Sequence, residues 1–328
     1  MNDPLIYVRA IHFAATIMVA GVAFFIVFIA EPALRNSDTG AQAPAIVRIR
    51  LAWIAWISLL LTVLSGAAWL LLVAQSMSDR PLADVLSEDI LWTVLLRTGF
   101  GHDWLDRFVL AYLLAGMFGP FFSAQGVKSV GIKVVVVALA AGLVGTLAWA
   151  GHAVGGSGIE GIVHPAADAL HLVAAAAWVG TLLPLVLMLG AAGPDARSIA
   201  IARTATVRFS TFGIVSVATL LVTGTINAWY LVGSVPALIE TDYGLLLLIK
   251  VVLFLGMVAI AAVNRLRLTP RLVQDATAIA TRDALRQLCR NTAIEVVVGA
   301  VIIAIVGILG VTPHGLDEDV IPHLHNSH

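Results

Sequence analysis

Between residues 165 and 190 the chain reads PAADALHLVAAAAWVGTLLPLVLMLG, an apolar run that is long enough to cross a bilayer. A membrane-spanning helix needs about 20 apolar residues. Asp168 and His171 are the ionisable side chains inside this run. Because a charged group is costly within hydrocarbon, ionisable residues in membrane helices usually have a function. The run therefore predicts a membrane helix that carries a polar site.

Apolar runs of similar length recur along the whole chain, which has 328 residues, 60% of them hydrophobic and 12% charged. So few charges would not cover the surface of a soluble domain. Backbone groups in hydrocarbon must bond within their own segment, so each run is predicted to be a helix. The fold class is therefore all-α, a polytopic membrane protein with eight transmembrane helices. The predicted spans are 5–30, 51–75, 106–123, 129–151, 165–190, 208–232, 243–264 and 292–312.

Charges are unevenly distributed among the predicted loops. Arg and Lys lie in the connections that follow the first, third, fifth and seventh helices, for example Arg48, Lys128 and Arg203, whereas the alternate connections are acidic or neutral. Positively charged loops stay in the cytoplasm, so both termini are predicted on the outer side of the membrane. The sequence has no glycine-rich nucleotide loop with its lysine. We therefore expect neither an ATP-driven pump nor an enzyme, and no nucleic-acid partner.

Two distant parts of the chain share a pattern of matching residues. Gly21 follows His12 at the same spacing at which Gly180 follows His171. Such offsets, preserved within helices and shifted between them, indicate a duplication with one loop insertion. Because four helices is an even number, both halves would cross the membrane in the same sense. The matched positions are His12 and His171, Gly21 and Gly180, Ser65 and Thr223, Gly66 and Gly224, Arg107 and Lys250, and Lys133 and Glu295.

The duplication predicts the domain organisation. Residues 1–152 form the first four-helix repeat, and within it 76–105 is the insertion, which is predicted to lie on the outer surface. Residues 153–314 form the second repeat, and 315–328 form an outward tail rich in histidine and acidic residues. An ion bound outside would then move between the two halves, and Lys133 and Glu295 are predicted to pair with each other or to help the ion leave inward.

All nine histidines are predicted on the outward half of the protein. His164, Asp168 and His171 are spaced four and three residues apart, which places them on one face of a helix. Imidazole suits copper, zinc, nickel and iron, and a histidine-rich set with few Cys or Met favours Cu(II) or Zn(II). Trp178 lies on the same face and is predicted to form a wall of the site, whereas most tryptophans are predicted in interfacial belts. The predicted metal ligands are His12, His152, His164, Asp168, His171 and His314.

Three alternatives to a copper site stay open for these histidines. Each could bond to a neighbouring helix for packing alone. Two histidines at one depth on facing helices could instead hold a haem, as in a b-type cytochrome that transfers electrons. The third alternative is a zinc or nickel site in a membrane assembly protein.

The segment from Ala167 through His171 and Trp178 to Gly180 resembles the signature helix of the CopD family of bacterial copper-resistance membrane proteins. The segment from Thr241 to Lys250, Asn264-Arg265, Glu295 and Thr312-Pro313 also resemble that family. His314 departs from it, because a second proline is expected there.

The resemblance implies a protein of the bacterial inner (plasma) membrane with periplasmic termini. It further implies copper uptake into the cytoplasm and a periplasmic copper-binding partner of the CopC type. We therefore expect a copper-binding protein in contact with membrane lipid, with copper as its ion.

Overall fold

The computed structural model describes residues 3–35, 42–87, 89–123, 126, 128–150, 160–193, 195–272 and 278–313. Regular secondary structure in these residues is helical throughout. Eight helices there are long and apolar enough to cross a membrane, which confirms the predicted all-helical, eight-span class. They are α1 (Pro4–Leu34), α2 (Ile46–Ser78), α3 (Gly99–Phe122), α4 (Val130–Trp149), α5 (Gly161–Gly190), α6 (Ala196–Val232), α7 (Asp242–Arg271) and α8 (Ala280–Leu309).

Several helices begin earlier than hydropathy predicts, because their first turns carry charged residues. Helix α3 begins at Gly99 and not near 106, and the Thr98 hydroxyl caps it by accepting the Gly101 N–H at 2.9 Å. Helix α6 begins at Ala196 and not near 208; Asp195 accepts the Ser198 N–H at 2.9 Å. Hydrogen bonds from the Ser198 side chain and from its backbone N–H stabilise the carboxylate and lower the pKa of Asp195. Hydropathy therefore located the lipid-facing part of each helix but not its cap.

The chain between α2 and α3 forms two short helices, Leu82–Ser87 and Ile90–Arg97. Asp89, between them, has a left-handed backbone with φ of 44°. The apolar side chains of this segment are divided between buried and exposed positions. Val85 and Val94 are buried, whereas Leu86 and Trp92 are exposed.

Helices α1 and α5 cross at the centre of the bundle, each packed against several others. Gly21 and Gly180 meet at this crossing with their backbones in contact. A Cβ atom added to Gly180 would lie 2.9 Å from the Gly21 Cα, and one added to Gly21 would collide with the Gly180 backbone. Small residues permit this close approach of membrane helices. At this level the crossing leaves no room for an ion, so the expected path between the halves is closed here.

Candidate functional site

A cavity of about 470 Å³ lies among α5, α6, α7 and α8, with one wall from α1. We call it the Asp168 cavity. Apolar side chains such as Leu172, Trp178 and Phe254 form most of its surface. Its polar lining residues are Arg9, His164, Asp168, His171, Thr225, Asn227, Tyr243 and Lys250. An apolar cavity with a few convergent polar groups is the usual form of a small-ligand site.

His171 is held in one orientation by the neighbouring helix. Its Nδ1 lies 2.9 Å from the Thr223 hydroxyl oxygen, and that hydroxyl donates its own hydrogen to the Thr219 carbonyl at 2.7 Å. Thr223 must therefore accept, which places the imidazole proton on Nδ1. The lone pair of Nε2 is consequently available to a ligand, as a metal requires.

Asp168 and Asn227 form the second fixed pair of the cavity. The Asn227 amide nitrogen donates to one Asp168 carboxylate oxygen at 3.0 Å. Among the described residues, the Asn227 carbonyl oxygen is buried and has no hydrogen-bond partner. Lys250 and Asp168 line the same cavity, so their opposite charges attract. Asp168 and Asn227 thus bring oxygen acceptors into the cavity.

His164 lies nearer the end of the helix than Asp168 and His171. Its ring stacks on Tyr230 of α6, with centroids 5.1 Å apart and planes 17° from parallel. All three residues of the predicted helical face therefore line one cavity. Trp178, predicted as a wall, also lines it and packs edge-on against Phe254 with centroids 5.7 Å apart.

His12 occupies a different environment from His171, although its first contacts are similar. Its Nδ1 lies 3.0 Å from the Ser65 hydroxyl and 3.1 Å from the Thr62 carbonyl oxygen. The ring is 1% exposed and packs between Trp69 and Trp104, at centroid distances of 5.6 and 5.2 Å. Its Nε2 has no hydrogen-bond partner within the described ranges. His12 does not line the Asp168 cavity.

The six predicted ligands are thus only partly brought together. His164, Asp168 and His171 share the cavity, His12 lies apart from it, and His152 and His314 fall outside the described residues. Across the part of the chain that the structure describes, no group of three or more His, Cys, Asp or Glu side chains is close enough to hold a metal ion. A complete set of ligands therefore needs movement of these side chains or further donors.

The polar lining residues Arg9, Thr225 and Asn227, of which Arg9 and Asn227 are the largest, were not singled out by the sequence analysis. Arg9 precedes His12 by three residues, as Asp168 precedes His171, and Asn227 follows Thr223 by four residues, as Trp69 follows Ser65. Aligning the two halves at every position, including positions where the residue types differ, would have revealed Arg9 and Asn227. The signal was lost because the residue types at these positions differ completely.

A second cavity, of about 330 Å³, continues beyond Trp178 towards the opposite ends of α5 and α6. We call it the Asn264 cavity. Trp178, which is 1% exposed, lines both cavities together with Leu221, so its indole lies between them. The polar lining residues of this second cavity are Thr206, Ser210, Asn264, Arg265, Thr269 and Thr292.

Eight membrane helices with ionisable side chains enclosed among them define a polytopic membrane protein with a polar intramembrane cavity. Residues 203–309 match the family model of copper resistance protein D, and residues 1–162 match that of the copper resistance protein D-like N-terminal domain. Inner membrane protein YebZ of Escherichia coli (strain K12) is 31% identical over 306 residues, or 93% of this chain and 96% of that protein. Copper resistance protein D of Pseudomonas syringae pv. tomato is 30% identical over 316 residues, or 94% of this chain and 97% of that protein.

The chain therefore belongs to the copper resistance protein D (CopD) family, as the signature helix predicted. It is an inner-membrane protein, and its family comprises copper resistance and transport proteins, not enzymes. Copper transport protein CutJ of Bacillus subtilis (strain 168) is 31% identical over 172 residues, which cover 52% of this chain and 31% of that protein. No solved structure matches the chain.

Proposed function

We propose that this protein binds copper in the Asp168 cavity and carries it from the periplasm into the cytoplasm. The observation that carries the proposal is the orientation of His171, whose Nδ1–H is bonded to Thr223 so that Nε2 is available to a metal. Ligating histidines characteristically donate their other N–H to a fixed partner in this way.

The donors in the cavity suit copper as the ion that is carried. Imidazole nitrogen is a good copper ligand, and His171, His164 and the Asp168 carboxylate offer nitrogen and oxygen donors of the kind that Cu(II) prefers. The buried, unpartnered Asn227 carbonyl oxygen is a further acceptor beside Asp168. His12, His152 and His314 would have to contact copper before it enters the Asp168 cavity or after it leaves.

Lys250 and Arg9 supply positive charge to the same cavity. A buried carboxylate without a counter-ion costs several kcal/mol. Lys250 would offset the charge of Asp168 while copper is absent, and an arriving metal ion would displace it. The Lys250 ammonium would thereby stabilise the cavity while it is empty, and it would also favour the release of copper.

The membrane orientation of the proposal follows from the basic connections after the odd-numbered helices. In this orientation both termini and the Asp168 cavity would lie towards the periplasm, and the Asn264 cavity would lie towards the cytoplasm. The two halves, 1–152 and 153–314, are proposed to be tandem repeats. The like contacts of His12 with Ser65 and of His171 with Thr223 support this proposal. A CopC-type protein would deliver copper, with 315–328 as a collecting arm.

Copper content of the purified protein tests the proposal. His171→Ala should lose bound copper, whereas the control His102→Ala should retain it, because His102 is exposed and its ring bonds to the Leu96 carbonyl of the preceding short helix. Copper would be measured by mass spectrometry after equilibration, with zinc and nickel as competitors. Equal copper in wild type and His171→Ala would overturn the proposed site.

An optical spectrum of the same sample tests the haem alternative. A bis-histidine haem would need His12 and His171 to face one shared space, but His12 Nε2 lies in the interior beside Trp69 and Trp104. We therefore expect no Soret band from the purified protein. A red protein whose colour depends on both histidines would favour the cytochrome.

A further inference from the structure

A second set of ionisable and polar groups, which the copper site does not use, lies in and beside the Asn264 cavity. Glu295 of α8 is completely buried, and one of its carboxylate oxygens accepts the Asn264 amide N–H at 3.2 Å. The side-chain carbonyl oxygen of Asn264 in turn accepts the Asn291 side-chain amide N–H at 2.8 Å. Asn264 lines the cavity, so Glu295 is one hydrogen bond away from it.

The other oxygen of Glu295 is buried and has no hydrogen-bond partner among the described residues. Lys133 and Glu295 were predicted to pair with each other or to help an ion leave inward, and the predicted pairing is wrong. The Lys133 ammonium lies 3.9 Å from Glu31, which also bonds to Arg48 at 3.4 Å. Within the described ranges no salt bridge reaches Glu295. An ionisable group left this way inside a membrane is a functional site by default.

The backbone beside Glu295 is irregular at the same place. Residues Asn264–Leu268 form a π-helical turn, and the Thr269 hydroxyl donates to the backbone carbonyl oxygen of Asn264 at 2.8 Å. Such turns occur frequently at functional sites. Irregular helix segments that line cavities are also where transporters coordinate their coupling ions. The turn, the cavity and the unpaired carboxylate oxygen therefore coincide.

The chemistry of this set differs from that of the Asp168 cavity. Its available donors are carboxylate, amide and hydroxyl oxygens, and neither imidazole nor thiolate lines the described part of the Asn264 cavity. Oxygen donors suit hard cations, whereas imidazole suits copper. Nearby titratable groups have other partners, because Arg265 bonds to the Ser210 hydroxyl at 2.7 Å and Cys289 faces the Val186 carbonyl.

We propose that Glu295 and Asn264 form a site for a small hard cation, a proton or a sodium ion, which drives copper movement from the far side of Trp178. The proposal rests on the proposed copper function for its purpose, but the site itself does not require copper. Trp178 would keep the two ions apart, since its indole lies between the two cavities.

The decisive experiment measures thermal unfolding of the purified wild-type protein and of Glu295→Gln. One arm compares sodium with choline chloride at equal ionic strength, and the other arm varies pH in choline. A bound cation stabilises the folded state by mass action, so wild type should show a shift of its midpoint with sodium or with pH that Glu295→Gln lacks. The matched control is Glu31→Gln, which removes a buried but paired carboxylate and should keep the shift.

Identical dependence of wild type and Glu295→Gln on both sodium and pH would overturn the inference, whether or not the protein moves copper. Copper uptake into proteoliposomes adds a second readout. Glu295→Gln should retain copper binding. The copper uptake that a sodium or proton gradient stimulates should be at least tenfold lower in this variant than in wild type. Absence of copper binding in wild type would count against the proposed function alone, because the unfolding arms contain no copper.

Discussion

His12 and His171 have the same immediate contacts but different surroundings. In each case Nδ1 bonds to a hydroxyl on the next membrane helix, Ser65 or Thr223, at 3.0 and 2.9 Å. A glycine comes next after each hydroxyl residue. A Cβ atom added to Gly66 would lie 3.3 Å from the His12 Cε1, and one added to Gly224 would lie 3.3 Å from the His171 Cε1. The two sites diverge one layer further out. Trp69 and Trp104 fill the space beside His12, whereas Asn227 and Leu247 line the open cavity beside His171.

Charge separates the two sites as clearly as volume does. Arg9 lies over the Trp69 ring and Arg107 over the Trp104 ring, each with its guanidinium carbon 4.5 Å from the centroid. These cation–π contacts stabilise a closed aromatic cluster. A metal cation would be repelled there, because no carboxylate offsets these charges in the described His12 contacts. Arg9 and Lys250 also line the Asp168 cavity, but there the Asp168 carboxylate attracts a cation. One helical framework thus supports a packed core in one half and a polar cavity in the other.

Filling the open cavity should have the largest effect. Leu247→Trp places an indole where the first half has Trp104, so we expect copper affinity to fall by at least about 100-fold, because the ion can no longer enter its pocket. Equilibrium dialysis with copper measures this. Leu245→Trp is the control, since Leu245 is largely exposed on the same helix. Unchanged affinity in Leu247→Trp would show that copper binds elsewhere.

Removing the charge that distinguishes the halves should have the next largest effect. Asp168→Asn keeps an oxygen that can accept from Asn227 but loses the carboxylate. We expect copper affinity to fall by about 10- to 100-fold, the range typical of groups that ligate or orient ligands. Isothermal titration compares it with wild type. If Asp168→Asn binds copper normally, the carboxylate serves only to balance Lys250.

Loosening His171 should have a smaller effect. Thr223→Val removes the hydroxyl that accepts the Nδ1–H and leaves the Leu220 carbonyl as a partner, so the ring is held less firmly. We expect an affinity loss of about tenfold, at the lower end for such orienting partners. The copper absorption spectrum should also broaden, because the ring samples several orientations. Thr219→Val, one turn away, is a suitable control because its hydroxyl bonds within its own helix.

The matching change in the first half should leave copper binding unaltered. Ser65→Ala removes a hydrogen bond of the packed His12, so we expect a loss of about 1 kcal/mol in the free energy of unfolding. Denaturant titration of the purified protein measures the stability, and dialysis measures copper. A large drop in copper affinity in this variant would contradict the distinction between the two halves.

The sequence was sufficient to predict the membrane helices and the face of α5 that contributes to the site. Hydropathy located all eight helices, and the spacing of His164, Asp168 and His171 placed them together. It was not sufficient for the difference between the halves. Trp69 and Trp104 were predicted in an interfacial belt, yet both are almost completely buried against His12. Which tryptophans face inward depends on how helices pack, and hydropathy does not encode this.

The glycine contact between α1 and α5 limits how the protein can change shape. Two helices whose backbones touch at Gly21 and Gly180 have no compressible side chains between them. The crossing can act as a fulcrum for tilting, but sliding of one half past the other would break it. Exposure of the copper cavity to either side must then come from the outlying helices α6 and α7, hinged around a centre that stays still.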